Sequence, residues 1–332
     1  MGPFVVDTRK SHVLVVDDDR GSLELMKMML ETRGYAVTVA SSGAKAMSLI
    51  AEMLRQQSAW QPMPVDVILL DVMMPEADGF KICQQIKQDP VLRYVPVIMV
   101  TALDSSSDKV AAVAFGADGY ITKPFLPEEL SAACKAKVQI KRREEALLRR
   151  VKELEAMNAV AIAAMSTLDA KRVVSDSLTA LMDSADVPAA AIYRYDETVP
   201  CLTLMVQRGV QRPEVLSLDT DIVDRVIGGQ NPVLKLDLRA EPAPPFHALG
   251  NPDLESCLVV PLLESQKPIG MLEVYQKLSS GFCEQDLAFY MEVGSRIGTA
   301  LQNAEILAQV QTMLLQSSTL ATGGPDQGEA VL

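Results

Sequence analysis

The stretch VLVVDDDRGS, residues 13–22, sets four apolar residues against three consecutive carboxylates. A short apolar run bounded by polar residues reads as a buried strand, and here it delivers three like charges to one point. The chain around it repeats the alternation: HVLVVD, SLELMKMMLETRG, AVTVA, GAKAMSLIAEMLRQQ, VDVILLDV, GFKICQQIKQD, VPVIMVTA, DKVAAVAFGA, GYITKP and PEELSAACKAKVQI follow one another. Five strands, each followed by an amphipathic helix, specify an α/β fold with a parallel sheet covered on both faces. Functional side chains in such sheets gather at the carboxyl ends of the strands. Those ends carry Asp17 and Asp18 after the first strand, Asp71 after the third, Thr101 after the fourth and Lys123 after the fifth. All five are expected to line one crevice.

A chain of 332 residues, 48% of them hydrophobic, is long enough for two domains of ordinary size. Its five cysteines lie far apart with no C-x-x-C pair, and two histidines supply no zinc pattern, which points to a reducing, cytoplasmic setting. No leader is visible, and no apolar run reaches the ~20 residues of a membrane span, so no membrane is expected. Charge is uneven. Residues 1–135 carry 13 Lys+Arg against 17 Asp+Glu, residues 136–168 carry 7 against 4, and the remainder 11 against 22. Only the middle piece is basic, and its cations are interspersed with glutamates rather than clustered, so no nucleic-acid partner is expected.

Several carboxylates held in one cleft raise each other's pKa unless a cation sits among them. An all-oxygen site with few carboxylates and room for water suits Mg2+ working on a phosphoryl group. Lys123 and Thr101 would then face the equatorial oxygens of that group, and Asp71 is the natural nucleophile. A triple aspartate after a strand also starts helices, and Asp19 reads as such an N-cap; DDD alone leaves cap and metal site open.

With VLVVDDD, ILLDVMMPEADGF, VPVIMVTA and GADGYITKPF together, the first part of the chain resembles the CheY-like receiver domain of two-component response regulators, a flavodoxin-like, doubly wound, five-stranded fold, placed at residues 1–135. Thirty residues separate Asp71 from Thr101 and twenty-two separate Thr101 from Lys123, as is usual in that family. The resemblance implies that Asp71 accepts phosphate from a histidine kinase or phosphotransfer protein. It implies that Asp18, Asp71 and the backbone carbonyl of Met73 bind Mg2+, with Asp17 acting through water. Thr101 and Lys123 would contact the phosphoryl oxygens, Ala102 would keep the pocket open, and the Lys123–Pro124 peptide would be cis. Tyr120 falls where the family keeps a ring that moves with Thr101; a buried core tyrosine is the other reading of it. Met73 and Leu103 would tune water access to the acyl phosphate, and both being apolar implies slow self-dephosphorylation. The segment AEMLRQQSAWQPMPVD is longer than usual, with Trp60, Pro62 and Pro64 as either a docking feature or a self-packed loop.

Beyond this, Ile140, Leu147, Leu154, Ala161 and Leu168 recur every seven residues, with Glu144, Val151, Asn158 and Met165 as companions. That spacing predicts a helical, coiled-coil linker over 136–168 that pairs two chains, or else a solvated helix packed on its own domain. From there AAAIYRYD, CLTLMVQRG, PVLKLDLR, SCLVVPLLES and PIGMLEVYQK predict strands, the last two a hairpin through SQKP. The preceding helix is AKRVVSDSLTALMDSA, and a long one from about Glu284 to Gln316 follows. This α+β arrangement, with a mainly antiparallel sheet and flanking helices, resembles a GAF domain over 169–305, with the helix end and a disordered tail at 306–332. Its ligand is not legible: the signatures for cyclic nucleotide and bilin are missing, and His247 in PAPPFHALGNP reads as a turn residue rather than a haem ligand. With no ATP loop, recognition helix or catalytic constellation, the expected output is an interaction. The leading expectation is a phosphorylation-controlled, dimeric, non-enzymatic signalling protein with a separate downstream partner. The alternatives are a small-molecule sensor that the receiver merely modulates, or an enzyme in the second domain.

Overall fold

The computed structural model describes residues 10–55, 63–74, 77–102, 112–199, 201–217, 221–238, 250–278 and 281–322. Trp60, Pro62, Leu103, His247 and the tail from 323 lie outside the described residues, as does the start of the DKVAAVAFGA helix. No helix among the described residues is long and apolar enough to cross a membrane. The chain divides into two units, with the boundary between Arg150 and Val151.

In the first unit, β1 (His12–Val16), β2 (Ala36–Ala40), β3 (Val67–Asp71), β4 (Val97–Thr101) and β5 (Gly119–Thr122) form a parallel sheet in the order β2-β1-β3-β4-β5. This is the flavodoxin-like doubly wound order. Strand alternation divides the core in two. Leu14, Val16, Ile68, Leu70 and Met99 pack with α2 (Gly43–Arg55) and α3 (Gly79–Gln88) on one face. Val13, Val15, Leu69, Ile98 and Val100 pack on the other with Leu23, Met26 and Leu30 of α1 (Arg20–Glu31) and with Leu130, Cys134 and Val138 of α4 (Pro127–Met165). β1 and β3 are thus enclosed on both sides, and their apolar runs have no polar alternation for that reason.

Helix α4 is continuous through the expected end of the receiver at 135, so the fifth receiver helix and the linker are one 39-residue element. Nothing in KAKVQIKRREEALL breaks it, since neither Gly nor Pro occurs there.

In the second unit an antiparallel sheet runs in the order β8-β7-β6-β11-β10-β9. Its strands are β6 (Ala189–Asp196), β7 (Cys201–Arg208), β8 (Val215–Ser217), β9 (Val233–Lys235), β10 (Ser256–Glu264) and β11 (Lys267–Gln276). The β10–β11 turn places Ser265 and Gln266 at positive φ, 46° and 71°, the left-handed pair that a two-residue hairpin loop requires. One face is covered by α5 (Ala170–Ala185), by Ala156, Met157 and Val160 of α4, and by Phe289, Val293, Ile297 and Leu301 of α6 (Glu284–Thr322). The opposite face has its own core, in which Val226 and Ile227 pack against Tyr193, Val259 and Tyr275. β8 was not expected, because three residues between polar stretches carry too little pattern to register. Asp286 reaches back to accept from the Cys283 backbone N–H at 2.6 Å, so a carboxylate inside α6 supplies capping that the Cys283 side chain cannot.

Candidate functional site

Asp17 follows β1, Asp71 ends β3, Thr101 ends β4 and Lys123 follows β5, so parallel topology brings them to one edge of the sheet. Asp17, Asp18 and Asp71 each offer an oxygen within 4.8 Å of the others, and this is the single such acidic group among the described residues. Asp17 and Asp71 are buried, and Asp18 is exposed. The Lys123 ammonium lies 2.8 Å from Oδ2 of Asp17 and 2.8 Å from Oδ1 of Asp71. The backbone N–H groups of Asp19 and Met73 donate to Asp17 Oδ1 and Asp71 Oδ2 at 2.9 and 3.0 Å. Asp19 stands apart from the cluster's chemistry: its carboxylate caps α1 by accepting from the Ser22 N–H at 2.8 Å, and that bond lowers its pKa.

One cation between two buried carboxylates leaves the cluster short of positive charge. Burial raises the Asp71 pKa above its ordinary value; Lys123 opposes this and the Asp17 charge adds to it. For Lys123, burial pulls the pKa down, but hydrogen bonds to Asp17 and Asp71 outweigh it and leave the ammonium above its usual range. A further cation would relieve this shortage, and the oxygens that Asp17, Asp18 and Asp71 offer it are hard donors.

Thr101 is buried and its carbonyl accepts from the Lys123 N–H at 2.7 Å. Ala102 is exposed beside it. The Lys123–Pro124 peptide is cis. Met73 is 63% exposed at the rim. Tyr120 is 45% exposed, which decides against the core-tyrosine reading. Two supporting residues had no assigned role in the sequence reading. A Cβ on Gly79 would stand 2.2 Å from the Asp71 carbonyl oxygen, so glycine lets α3 begin directly against the end of β3. Asp78 caps that helix by accepting from the Phe80 N–H at 3.0 Å. The DG pair was the available signal for both.

Comparison with known proteins agrees with this geometry. The response regulator receiver domain family matches residues 13–135, and the GAF domain family matches residues 167–302. The chain is similar to the alkaline phosphatase synthesis transcriptional regulatory protein PhoP of Bacillus subtilis (strain 168), 41% identical over 124 residues, 37% of this chain and 47% of that one. It is also similar to the DNA-binding dual master transcriptional regulator RpaA of Synechocystis, 36% identical over 146 residues, 44% of this chain and 55% of that one. The chain thus spans about half the length of these relatives. Among solved structures, the Francisella response regulator 1452 receiver domain is 32% identical with a TM-score of 0.34, covering 39% of this chain and 98% of that one. Chemotaxis protein CheY4 of Vibrio cholerae is 28% identical with a TM-score of 0.34, covering 39% and 98%. With its acid cluster at the carboxyl edge of a five-stranded parallel sheet, and an antiparallel α+β unit following in sequence, the chain carries a response regulator receiver domain over residues 13–135 followed by a GAF domain over residues 167–302.

Proposed function

We propose that Asp71 is the phosphoacceptor of a two-component phosphorelay. The observation that carries this reading is a buried carboxylate held 2.8 Å from a lysine that it shares with a second buried carboxylate. An Asp71 oxygen attacks the phosphorus of a phosphohistidine on a sensor histidine kinase or phosphotransfer protein. The phosphorus–nitrogen bond breaks, the histidine retains that electron pair, and an acyl phosphate forms. Lys123 and the Thr101 hydroxyl stabilise charge on the transferring group, and Ala102 leaves room for it. Mg2+ suits the oxygen donor set: Asp18, Asp71 and the Met73 carbonyl would hold it, with Asp17 acting through water. When bound, it would offset the negative charge of the phosphoryl oxygens.

The chemistry of the protein is confined to gaining and losing this phosphate, with no separate enzymatic activity. The acceptor's state passes through helix α4 to the GAF domain and on to a downstream protein. The heptad positions Ile140, Leu147, Val151 and Leu154 of α4 are exposed, which supports pairing of α4 with a second copy in a homodimer; Leu168 lies past the end of the helix at Met165.

The test is incubation of the full chain with Mg2+ and acetyl phosphate beside Asp71→Asn, reading intact mass and solution molar mass together. One added phosphoryl group, lost in the variant and accompanied by a change in assembly, is the expected result. No added mass would overturn the acceptor reading.

A further inference from the structure

β1 and β3 are neighbouring parallel strands whose carboxyl ends lead into the acid cluster, through Asp17 and Asp71. Their amino ends meet a second charged group. Asp66, immediately before β3, is fully buried, and its backbone N–H donates to the His12 carbonyl at 2.8 Å. The His12 N–H returns a bond to Asp66 Oδ2 at 2.8 Å. Two cations of α4 converge on the same carboxylate: Lys141 Nζ lies 3.4 Å from Oδ1 and Arg142 Nη2 lies 3.3 Å from Oδ2. Lys141, only 1% exposed, also donates to Glu145 Oε1 at 2.7 Å, and Glu145 in turn accepts from the Met63 N–H at 3.1 Å. His12 is pinned besides, its Nδ1 donating to the Pro64 carbonyl at 2.7 Å and its Nε2 lying 2.8 Å from the Thr38 hydroxyl.

A lysine buried to this degree needs paired carboxylates, and an aspartate buried in the same place needs cations. The four side chains satisfy both needs only while α4 keeps its position between residues 138 and 145. The α4 side of this group, Lys141, Arg142 and Glu145, lies beyond residue 135, where the match to the receiver family ends. Between the two charged ends, β3 is buried at every residue, so it is packed as a stiff rod of about 16 Å.

We propose that Asp66, Lys141, Arg142 and Glu145 form a latch that fixes α4 to the base of the acceptor strand, and that occupancy of the Asp71 site sets how firmly the latch holds. This rests on the phosphoacceptor reading above. A displacement of β1 or β3 at the acid cluster reaches the Asp66 carboxylate without passing through any surface loop. Because buried charges tolerate little misalignment, a small shift there changes the hold on the helix.

The experiment is hydrogen exchange on the full chain, with Mg2+ and acetyl phosphate present or absent, following peptides across 138–150 while intact mass reports phosphorylation of the same samples. Wild type, Lys141→Met and the milder Glu145→Gln are compared, each first checked for a cooperative melt. Phosphorylation is expected to change exchange across 138–150 in wild type by severalfold, to do so less in Glu145→Gln, and to leave it unchanged in Lys141→Met, although that variant gains the phosphoryl mass. Phosphorylated wild type with unaltered exchange there, or variants that respond as wild type does, would overturn the latch and leave the acceptor reading standing. If wild type gains no phosphoryl mass, both fail together.

Discussion

The receiver's acid cluster and the buried ion pair of the GAF unit use the same ingredients to opposite ends. In the GAF unit Arg212 meets Glu273 in two parallel bonds of 2.8 Å, each side chain 1% exposed, and the Tyr275 hydroxyl donates to the same carboxylate at 2.7 Å. One cation faces one anion, and burial is complete. In the receiver one lysine, 26% exposed, serves two carboxylates, with a third at the rim. Matching and enclosure make a charged group structural. A shortage of cation together with an open side leaves the charge unmatched and within reach of a metal ion, which would relieve it.

The contrast can be tested most severely at Glu273. Glu273→Gln leaves the Arg212 guanidinium buried against a neutral amide, and should cost the GAF unit about 3–5 kcal/mol in denaturant unfolding. Joint replacement by Arg212→Met and Glu273→Met should cost distinctly less than that single change, because no isolated charge remains. If the double variant is the worse of the two, the pair contributes favourably beyond its own desolvation. Gly79→Ala probes the open site from its backbone side. The Cβ would force α3 away from the Asp71 carbonyl, at about 1–3 kcal/mol, with slower phosphorylation by acetyl phosphate as the accompanying sign. Lys141→Met should cost about 1–3 kcal/mol, less than breaking the GAF pair, since Asp66 keeps Arg142 and the His12 N–H.

The smallest effect concerns pH. The folded pKa of Asp71 lies above its unfolded value, so the folded state holds that proton where the unfolded state has released it. Ionised Asp71 therefore weighs against the fold above its raised pKa, and this penalty fades as pH falls through that value toward the ordinary carboxylate range. In metal-free buffer Asp71→Asn should melt slightly above wild type at neutral pH, with the gap closing on acidification. A gap that widens toward acid would reverse the sign assigned here.

Much of this was readable in advance, for definite reasons. β1, β3 and β4 each carry an unbroken run of four apolar residues that leads straight into a polar residue, so both the parallel sheet and the residues at its carboxyl edge follow from local pattern. The charged pairs do not. Asp66 and Lys141 are 75 residues apart, Arg212 and Glu273 are 61 apart, and nothing at either position names the other. Glu273 is actively misleading. Within GMLEVYQ it alternates with Leu272 and Val274 and reads as the solvent side of an amphipathic strand, yet Met271, Glu273 and Tyr275 all face a second core. Lys141 misleads in the same way, since in VQIKRREE it looks like one more solvated cation of a charged helix, while its side chain is among the most enclosed in the chain.

Helix α4 also bears on how this protein can be recombined with others. A chimera spliced at residue 135, where the receiver match stops, would discard Lys141, Arg142 and Glu145 and leave the Asp66 carboxylate enclosed with those cations removed. A junction after Arg150, at the seam between the two compact units, carries the whole charged group with the receiver. The transplantable module is therefore about four helical turns longer than its family boundary, and grafts made at the shorter limit should be recovered poorly even when their acid cluster is intact.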